Sequence, residues 1–232
     1  IPGSPGYTAL TVEMSQSMVV SGVPRIINYN YITDDVDVLV VDDDGAAGYE
    51  QYYTDALDAM GLSYGVWDRL TVGPSAGALG IFPAVVWSIG ENYPTLDADD
   101  RAALGDYMDA GGPLFITGQD IGWELNDQGG AAYQWYVDYL HAYFINDDTN
   151  NYTLAGVPGD PVSSGIDLVI QGGDGANNQL YPEDIDPADA SATVIWSYDA
   201  NRNGAIRADT GVYKLVYLGF GFEAIDNAVD RK

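Results

Sequence analysis

The sequence predicts an α/β protein built on a doubly wound, mostly parallel sheet. Short, continuous apolar runs such as Val38–Val41 are typical of parallel strands that are covered on both faces. Segments with apolar residues at helical spacing separate these runs. Strands and helices therefore alternate between residues 37 and 122, and such alternation favours a parallel sheet with helical crossovers.

Each element of this first half has its own local signal. Tyr49, Tyr53 and Leu57 fall on one helical face, and Gly61 is placed to end that helix. Asp97 is a suitable N-cap for the next long helix. Further strands are predicted at Tyr64–Trp67, Ala84–Ser88 and Leu114–Thr117, and a loop or short helix begins at Gly73.

The C-terminal half is richer in β signals. An aromatic helix is predicted from Ala131 to Ile145, with His141 inside it, and the residues that flank Asp199–Gly204 predict a hairpin. Strand candidates are Tyr152–Val157, Leu168–Ile170, Thr193–Tyr198, Ala205–Ala208 and Tyr213–Leu218. We interpret residues 146–192 as an irregular insertion, and residues 1–35 as an extended arm or the tail of a preceding domain.

The charge of the chain excludes several classes of partner. Its 232 residues include 8 Lys and Arg against 35 Asp and Glu, a formal charge of −27. Nucleic acids and anionic membranes are bound through basic residues, so both are poor partners for this chain. No apolar run reaches the length of about 18 residues that a membrane span needs, so no membrane insertion is expected.

The scarcity of Cys, His and Lys limits the possible chemistry and indicates where the protein is located. With no Cys and one His, the chain excludes thiol catalysis, disulfides and multi-histidine zinc sites. Little Lys and abundant Gly, Tyr, Asn and Asp suggest an exported protein, placed outside the cell or at the cell surface. The expected partners are other domains of the same polypeptide or surface proteins.

Several motifs resemble one family of domains. They are VLVVDDDG at 38–45, YEQYY at 49–53, VVWSIG at 85–90, GGPLFITGQDI at 111–121 and GFGFEAI at 219–225. Together they resemble the class I glutamine amidotransferase-like domain of large exported bacterial and archaeal proteins. The resemblance covers roughly residues 36–226 and implies a flavodoxin-like domain over 36–232, with neighbouring peptidase and β-sandwich domains in the same polypeptide.

The departures from that family concern its catalytic residues. The family's elbow, Gly-x-Cys-x-Gly, corresponds to residues 118–122, where Asp120 replaces the cysteine. Its late His-Pro-Glu corresponds to residues 221–223, where Glu223 alone is kept. Glutamine hydrolysis by a thiolate needs both the sulfur and the imidazole. The resemblance therefore implies a non-catalytic structural or interaction domain.

Acidic residues follow several predicted strands, where α/β sheets bind ligands. Asp42, Asp43 and Asp44 follow the first strand, and Glu91, Asp120 and Glu223 follow later ones. Converging carboxylates suit Ca²⁺ or Mg²⁺, and Asp42, Asp43, Asp44 and Asp120 are the candidate ligands. A hydrolase using Asp120 with Glu91 or Glu223 as acid and base, or as metal ligands, is the alternative. The same aspartates could simply cap helices.

Two weaker signals remain open. Asp199, Asn201 and Asn203, with Gly204, match the first half of a calcium loop, although position 12 is Thr210 and a hairpin turn fits the same residues. The aromatic content includes tryptophans that could stack on sugars or form core: Trp67, Trp87, Trp123, Trp135 and Trp196. A carbohydrate-binding module is therefore a further alternative.

Overall fold

The computed structural model describes residues 36–70 and 72–232, so the arm proposed at 1–35 lies outside the described residues. The strands are β1 (Val38–Asp42), β2 (Tyr64–Asp68), β3 (Val85–Gly90), β4 (Leu114–Gly118), β5 (Ala142–Asn146), β6 (Thr153–Gly156), β7 (Leu168–Val169), β8 (Asp184–Pro187), β9 (Ala192–Asp199), β10 (Arg202–Asp209) and β11 (Lys214–Leu218). The helices are α1 (Glu50–Met60), α2 (Ala76–Leu79), α3 (Ala98–Asp109), α4 (Ile121–Gln128) and α5 (Gly130–Leu140), with a 3₁₀ turn at Phe222–Ala224.

One large mixed sheet organises these elements. Its nine strands follow the order β2-β1-β3-β4-β11-β10-β9-β6-β7, and β5 pairs with β8 in a separate two-stranded sheet. The first five strands of that order are parallel to one another, whereas each later pair is antiparallel. The prediction of an α/β fold with a mostly parallel core is confirmed. All five parallel strands therefore point their carboxyl ends at the same edge of the sheet.

Strand β1 shows why its residues are all apolar. Val38 and Val40 pack with Leu57 of α1 on one face of the sheet. Leu39 and Val41 belong to the core on the other face, which includes residues of α3, α4 and α5. A strand that is buried on both faces needs apolar side chains at every position, and the run has them.

The helix termini follow the expected local chemistry. Gly61 ends α1 with φ of 73°. Asp97 begins α3 with a complete capping box, in which its carboxylate accepts from the amide of Asp100 and Asp100 reciprocates. Within the described residues, no helix has the length and apolar character needed to cross a membrane.

The aromatic helix ends earlier than predicted. Helix α5 stops at Leu140, and Tyr143, Phe144 and Ile145 lie on β5. The break is at His141, which adopts a left-handed conformation with φ of 52° and follows the last residue of the helix. Strand pairing of β5 with β8 outcompetes helical continuation, because aromatic and β-branched residues suit a strand equally well.

The segment at 146–192 contains three short strands, β6, β7 and β8. Strand β8 had no signal in the sequence, because its four residues, Asp-Ile-Asp-Pro, are mostly of types that strands disfavour. The hairpin between β9 and β10 forms where the sequence predicts it.

Candidate functional site

Asp120 occupies the sharp corner between β4 and α4. Its backbone has φ of 67° and ψ of 5°, a left-handed conformation that costs a residue with a Cβ of order 1 kcal/mol or more. Its side chain makes no capping hydrogen bond to α4, so the interpretation of Asp120 as a helix cap is wrong. A strained corner that lifts one side chain above the strand ends is the geometry of a nucleophile elbow. Here that position carries a carboxyl group.

Asp147 is the carboxyl partner of Asp120. Burial is the main cause that raises the pKa of Asp120 to about 6, and the charge of Asp147 and a hydrogen bond with it add to the increase. The same hydrogen bond opposes the increase in the pKa of Asp147. Asp147 Oδ1 is buried and receives no hydrogen bond from an amide or hydroxyl donor among the described residues. A proton held on Asp120 and donated to Asp147 satisfies both groups.

Glu183 fills the anion-binding position at the start of α4. Its carboxylate accepts hydrogen bonds from the amides of Trp123 at 2.6 Å and Gly122 at 3.1 Å, and from the Tyr217 hydroxyl at 2.9 Å. These helix N-terminal amides would otherwise be free to bind an anionic ligand. Burial raises the pKa of Glu183 to about 8, while the three donors hold it down.

Glu223 is buried in a separate network. Its carboxylate accepts from the Tyr53 hydroxyl at 2.7 Å and from Asn178 Nδ2 at 2.8 Å. Burial raises its pKa, and these two donors oppose the increase. Glu91 is exposed and accepts from the Tyr49 hydroxyl at 3.2 Å. Its charge contributes to the raised pKa of Asp120, so Glu91 lies near the elbow, whereas Glu223 is not among the groups that shift that pKa.

The aspartates after β1 diverge. Carboxylate oxygens of Asp42, Asp44 and Glu50 lie within 4.8 Å of one another. Asp43 points away from them, toward Trp87 Nε1 at 3.0 Å and Arg69 at 3.5 Å. Burial, followed by the charges of Asp44 and Glu50, raises the pKa of Asp42 to about 7. Asp43 and Asp120 are therefore not part of this cluster.

Asp44 also organises the loop before α1. Its Oδ1 accepts from the backbone amides of Ala46 and Ala47, and its Oδ2 accepts from the backbone amide of Tyr49 at 2.6 Å. Asp42 Oδ1 and Glu50 Oε2 are buried oxygens that receive no hydrogen bond among the described residues. Two unsatisfied carboxylate oxygens beside a third acid are costly unless a proton or a cation is present.

The calcium-loop candidate at residues 199–204 is a hairpin turn. Asp199 accepts from the Asn201 amide at 2.9 Å and forms an ion pair with Arg202 at 2.6 Å. Asn203 bonds instead to Asp186 and Ser197 on neighbouring strands. The oxygens of this loop are used in the turn and the sheet, and they do not converge on one point.

The lone histidine ties α5 to the chain that follows β8. His141 Nδ1 lies 2.7 Å from Asp189 and 3.2 Å from Ser191, and Nε2 lies 2.8 Å from the Tyr213 hydroxyl. A hydrolytic triad places serine and aspartate on opposite ring nitrogens. Here both face Nδ1 and Nε2 is taken by Tyr213, so the arrangement is a structural clamp and does not involve Asp120.

The aromatic candidates divide into buried and exposed side chains. Trp87 and Trp196 are buried in the core, and Trp67 and Trp135 are partly buried against it. Trp123 differs, because it is 36% exposed and lies on the first turn of α4, three residues after Asp120.

A second surface lies on the face of the sheet that carries α1. It is an apolar groove of about 380 Å³, whose floor includes Val86 of β3, Phe115 of β4 and Val216 of β11. Its other lining residues include Leu57 and Met60 of α1, Ile166, Trp196, Phe222, Arg231 and Lys232. Because the floor consists of side chains from the middle of the sheet, the groove presents side chains to a partner and not the edge of a strand.

Comparison with known proteins supports the fold. No family model matches this sequence, and a search of curated proteins gives no match. A protein from Thermoplasma acidophilum that is related to a GMP synthase subunit is similar in structure, with a TM-score of 0.53 and 14% identity over 84% of this chain and 90% of the other. A glutamine amidotransferase from Thermotoga maritima gives 0.51 and 14%, over 81% and 76% of the two chains.

A ThuA-like protein from Bacteroides uniformis gives a TM-score of 0.52 at 10% identity, over 85% of this chain and 86% of the other. At such low identities these likenesses establish the fold alone. The chain has the flavodoxin-like α/β fold that glutamine amidotransferase-like and ThuA-like proteins share.

Three residues of the site were missed by the sequence analysis. Asp147, Glu183 and Glu50 reach their positions through contacts with residues distant in the chain or around a loop. Glu50 could have been found from the spacing, since it begins the helix that follows Asp42 and Asp44. Nothing in the sequence around Glu183 indicates that it meets the amides of residues 122 and 123.

Proposed function

We propose that this chain is a non-catalytic, amidotransferase-like interaction domain of an exported multidomain protein. One observation carries the proposal: the elbow presents Asp120, and the whole chain contains no cysteine. The amides of Gly122 and Trp123 beside the elbow already donate to Glu183, so these two donors are not available to an anionic intermediate. The acid in the late position, Glu223, is buried on Tyr53 and Asn178.

The finer description of the fold belongs to the same proposal. The order β2-β1-β3-β4-β11 is the flavodoxin-like order of five parallel strands. Helix α1 packs on one face, and α3, α4 and α5 contribute to the core of the other. We infer a doubly wound sheet from this arrangement, with β10, β9, β6 and β7 as the β-rich addition. A composition with little Lys and abundant Gly, Tyr, Asn and Asp supports an extracellular or cell-surface location.

Ammonia release from glutamine tests the loss of catalysis. We expect none from the protein, and none from Asp120→Ala. Measurable glutaminase activity in the protein that disappears in Asp120→Ala would overturn the proposal. Activity that persists in Asp120→Ala would indicate a contaminating enzyme, so the assay is repeated after a second purification until the two preparations agree.

The apolar groove supports the interaction role. The occupant that we propose is an amphipathic helix of a neighbouring domain in the same polypeptide. A helix suits this face because α/β sheets are covered by helices and the floor of the groove is made of mid-sheet side chains, which do not allow β-pairing. The charged residues of the lining include Asp230 as well as Lys232, so the apolar stripe of the helix, and not its charge, is what the groove recognises.

Two synthetic peptides test the groove. Both are amphipathic helices with the same apolar stripe, and one carries acidic and the other basic residues beside it. Fluorescence polarisation should show binding of at least one of the two peptides through the shared apolar stripe. Val216→Asp should abolish binding, whereas Val212→Asp, at an exposed position outside the groove, should not. Binding of neither peptide, or equal binding to the Val216→Asp and Val212→Asp variants, would contradict the proposal.

A divalent cation is the second candidate function, and the unsatisfied oxygens of Asp42 and Glu50 favour it. The residues fit Ca²⁺ chemically, since all donors are carboxylate oxygens. Saturating Ca²⁺ should raise the melting temperature, and EDTA should reverse the increase. Asp42→Asn should remove this response, while Asp199→Asn in the hairpin turn should keep it. If neither Ca²⁺ nor Mg²⁺ changes the melting temperature of the native protein, this candidate function is wrong.

A further inference from the structure

Two exposed aromatic rings stand together beside the elbow. Tyr93 follows β3 and is 65% exposed, and Trp123 lies in the first turn of α4 and is 36% exposed. Their ring centroids are 6.1 Å apart, with an angle of 47° between the planes. β3 and β4 are adjacent parallel strands, so the loops that follow them lie side by side at the carboxyl edge. Large aromatic side chains are enriched where a protein binds a ligand with a flat apolar face.

The aromatic pair is held in place by its surroundings. The amide of Trp123 donates to Glu183 at 2.6 Å. Glu124 in the same turn accepts from the amide of Thr95 at 2.5 Å, which connects the loop of Tyr93 to α4. Both loops are therefore fixed relative to each other before any ligand arrives, and preorganisation of this kind lowers the entropic cost of binding.

Carboxyl groups belong to the same two loops as the aromatic pair. Asp120 lies three residues before Trp123 and Glu91 lies two residues before Tyr93, and the charges of Glu91 and Asp147 both raise the pKa of Asp120. Carboxylates accept hydrogen bonds from hydroxyl groups, and such charge-assisted bonds are stronger than neutral ones. An aromatic surface beside hydroxyl acceptors matches the two faces of a sugar ring, one of C–H groups and one of hydroxyls.

We propose that Tyr93 and Trp123 form a binding site for a neutral carbohydrate, with Asp120, Asp147 and Glu91 accepting its hydroxyl groups. The charge of −27 disfavours uronic acids, sialic acids and phosphorylated sugars, so the ligand is uncharged. This site is separate from the apolar groove and adds a ligand to the interaction role. If one of these two sites binds no ligand, the proposal for the other site is unaffected.

The site binds sugar without cleaving it. Glycosidases hold their two carboxyl groups about 5 to 10 Å apart, to admit the sugar carbon or a water molecule between them. The effect of Asp147 on the pKa of Asp120 places these two carboxyl groups within hydrogen-bonding reach, closer than a glycosidase pair. The other acid near the elbow, Glu91, already accepts from the Tyr49 hydroxyl at 3.2 Å.

Calorimetric titration with neutral hexasaccharides of glucose, mannose and galactose tests the proposal. At least one should bind, with a blue shift in tryptophan emission, and oligogalacturonate should bind at least tenfold more weakly. Trp123→Ala and Tyr93→Ala should each weaken binding at least tenfold. Tyr143→Ala is the matched control, because this side chain is 43% exposed on β5 and should leave affinity unchanged.

Melting temperatures of all variants show whether the fold is kept. If Trp123→Ala lowers stability, the result for Tyr93→Ala decides, since that ring is largely exposed. No binding to any neutral hexasaccharide, undiminished binding by Tyr93→Ala, or preference for oligogalacturonate would each overturn the proposal. Release of reducing sugar that Asp120→Asn abolishes would overturn the conclusion that the site binds without cleavage.

Discussion

The Tyr53 hydroxyl donates a 2.7 Å hydrogen bond to Glu223 Oε2, although 170 residues separate them in the chain. It joins α1 to the 3₁₀ turn that follows the last parallel strand. Tyr53 is 2% exposed and Glu223 is fully buried, so neither group can exchange its partner for water. Glu223, one of the acids that follow the strands, is therefore held in a fully buried hydrogen bond.

Tyr53→Phe removes the hydroxyl and keeps the packed ring. We expect a loss of about 1–3 kcal/mol in the free energy of unfolding, because a buried acceptor loses its donor. The hydroxyl stabilises the charged form of Glu223, so its loss raises the pKa of Glu223 further. The cost should consequently be larger at pH 8 than at pH 5.

Urea unfolding at both pH values measures this effect. Tyr49→Phe is the matched control, because its hydroxyl bonds the exposed Glu91 at 3.2 Å and its loss should cost about 0.5 kcal/mol or less. Equal costs for the two substitutions would show that the buried bond has no special role.

Gly122→Ala should be destabilising for a steric reason. A Cβ at this position would lie 2.8 Å from the Tyr136 hydroxyl and 3.1 Å from both Glu183 and Phe144. Overpacking at such a site costs about 1–3 kcal/mol, and the displaced Glu183 would lose its bonds to the helix amides. Gly77→Ala in α2 is the comparison, since only Ser75 comes within 3.9 Å, and helix propensity should make it neutral or slightly stabilising. Thermal unfolding of both variants distinguishes the two cases.

Much of the fold could be predicted from sequence because its determinants are local. The apolar run of β1, the capping box of Asp97 and the left-handed Gly61 each act within a few residues. The helix boundary at Leu140 could not be predicted, because the clamp of His141 on Asp189 and Tyr213 involves residues 48 and 72 positions away.

Prediction of the site was limited in the same way, because only its local features could be predicted from sequence. The sharp corner at Asp120 was visible as a strand followed by paired glycines, and the structure has it. Asp147, which interacts with Asp120, and Glu183, which binds the first amides of α4, come from the β-rich half of the chain. Tertiary packing brings both residues to the elbow. Sequence patterns report periodicity and caps, so they located the acids at strand ends but could not say which of them meet.

Arg69→Met should be strongly destabilising. The guanidinium bonds Asp100 at 2.9 Å through Nε and Asp97 at 2.6 Å, and it lies 3.5 Å from Asp43. Asp43 and Asp100 are 1% and 2% exposed, so removal of the cation leaves two buried carboxylates without a counter-charge. Breaking a buried ion pair from one side costs about 3–5 kcal/mol.

The cost of Arg69→Met should shrink at low pH, because protonation then removes the unpaired charge. Burial already raises the pKa of Asp43 to about 7, and Arg69 opposes that increase, so the variant pKa should be higher still. Chemical unfolding at pH 5 and pH 8 compares the two conditions. Lys214→Met tests specificity, since its pair with Asp209 is exposed and should have little effect. A cost that does not depend on pH would contradict this explanation.

Asp120→Asn should stabilise the protein at high pH. Burial and the charge of Asp147 raise the pKa of Asp120 to about 6 in the folded state, from an ordinary value of 3.8. The folded protein thus holds a proton that the unfolded chain releases, and stability is lost as pH rises from about 4 through 6. Asparagine tolerates the left-handed backbone and can donate to Asp147, as protonated Asp120 does. The variant should therefore match the protein at pH 4 and exceed it by about 1–3 kcal/mol above pH 7.

Asp209→Asn should change the pH dependence of stability in the opposite direction. The hydrogen bond from Lys214 lowers the pKa of Asp209, so that carboxylate stabilises the folded state above its unfolded pKa and the benefit disappears as pH falls. Its substitution should be only slightly unfavourable at neutral pH, because the pair with Lys214 is exposed, and without effect in acid. Stability of both variants, followed by thermal unfolding between pH 4 and 8, should give curves that diverge from the parent in opposite directions. If Asp120→Asn instead loses stability as pH rises, the carboxyl pair at the elbow is ionised in the native protein and the shared proton does not exist.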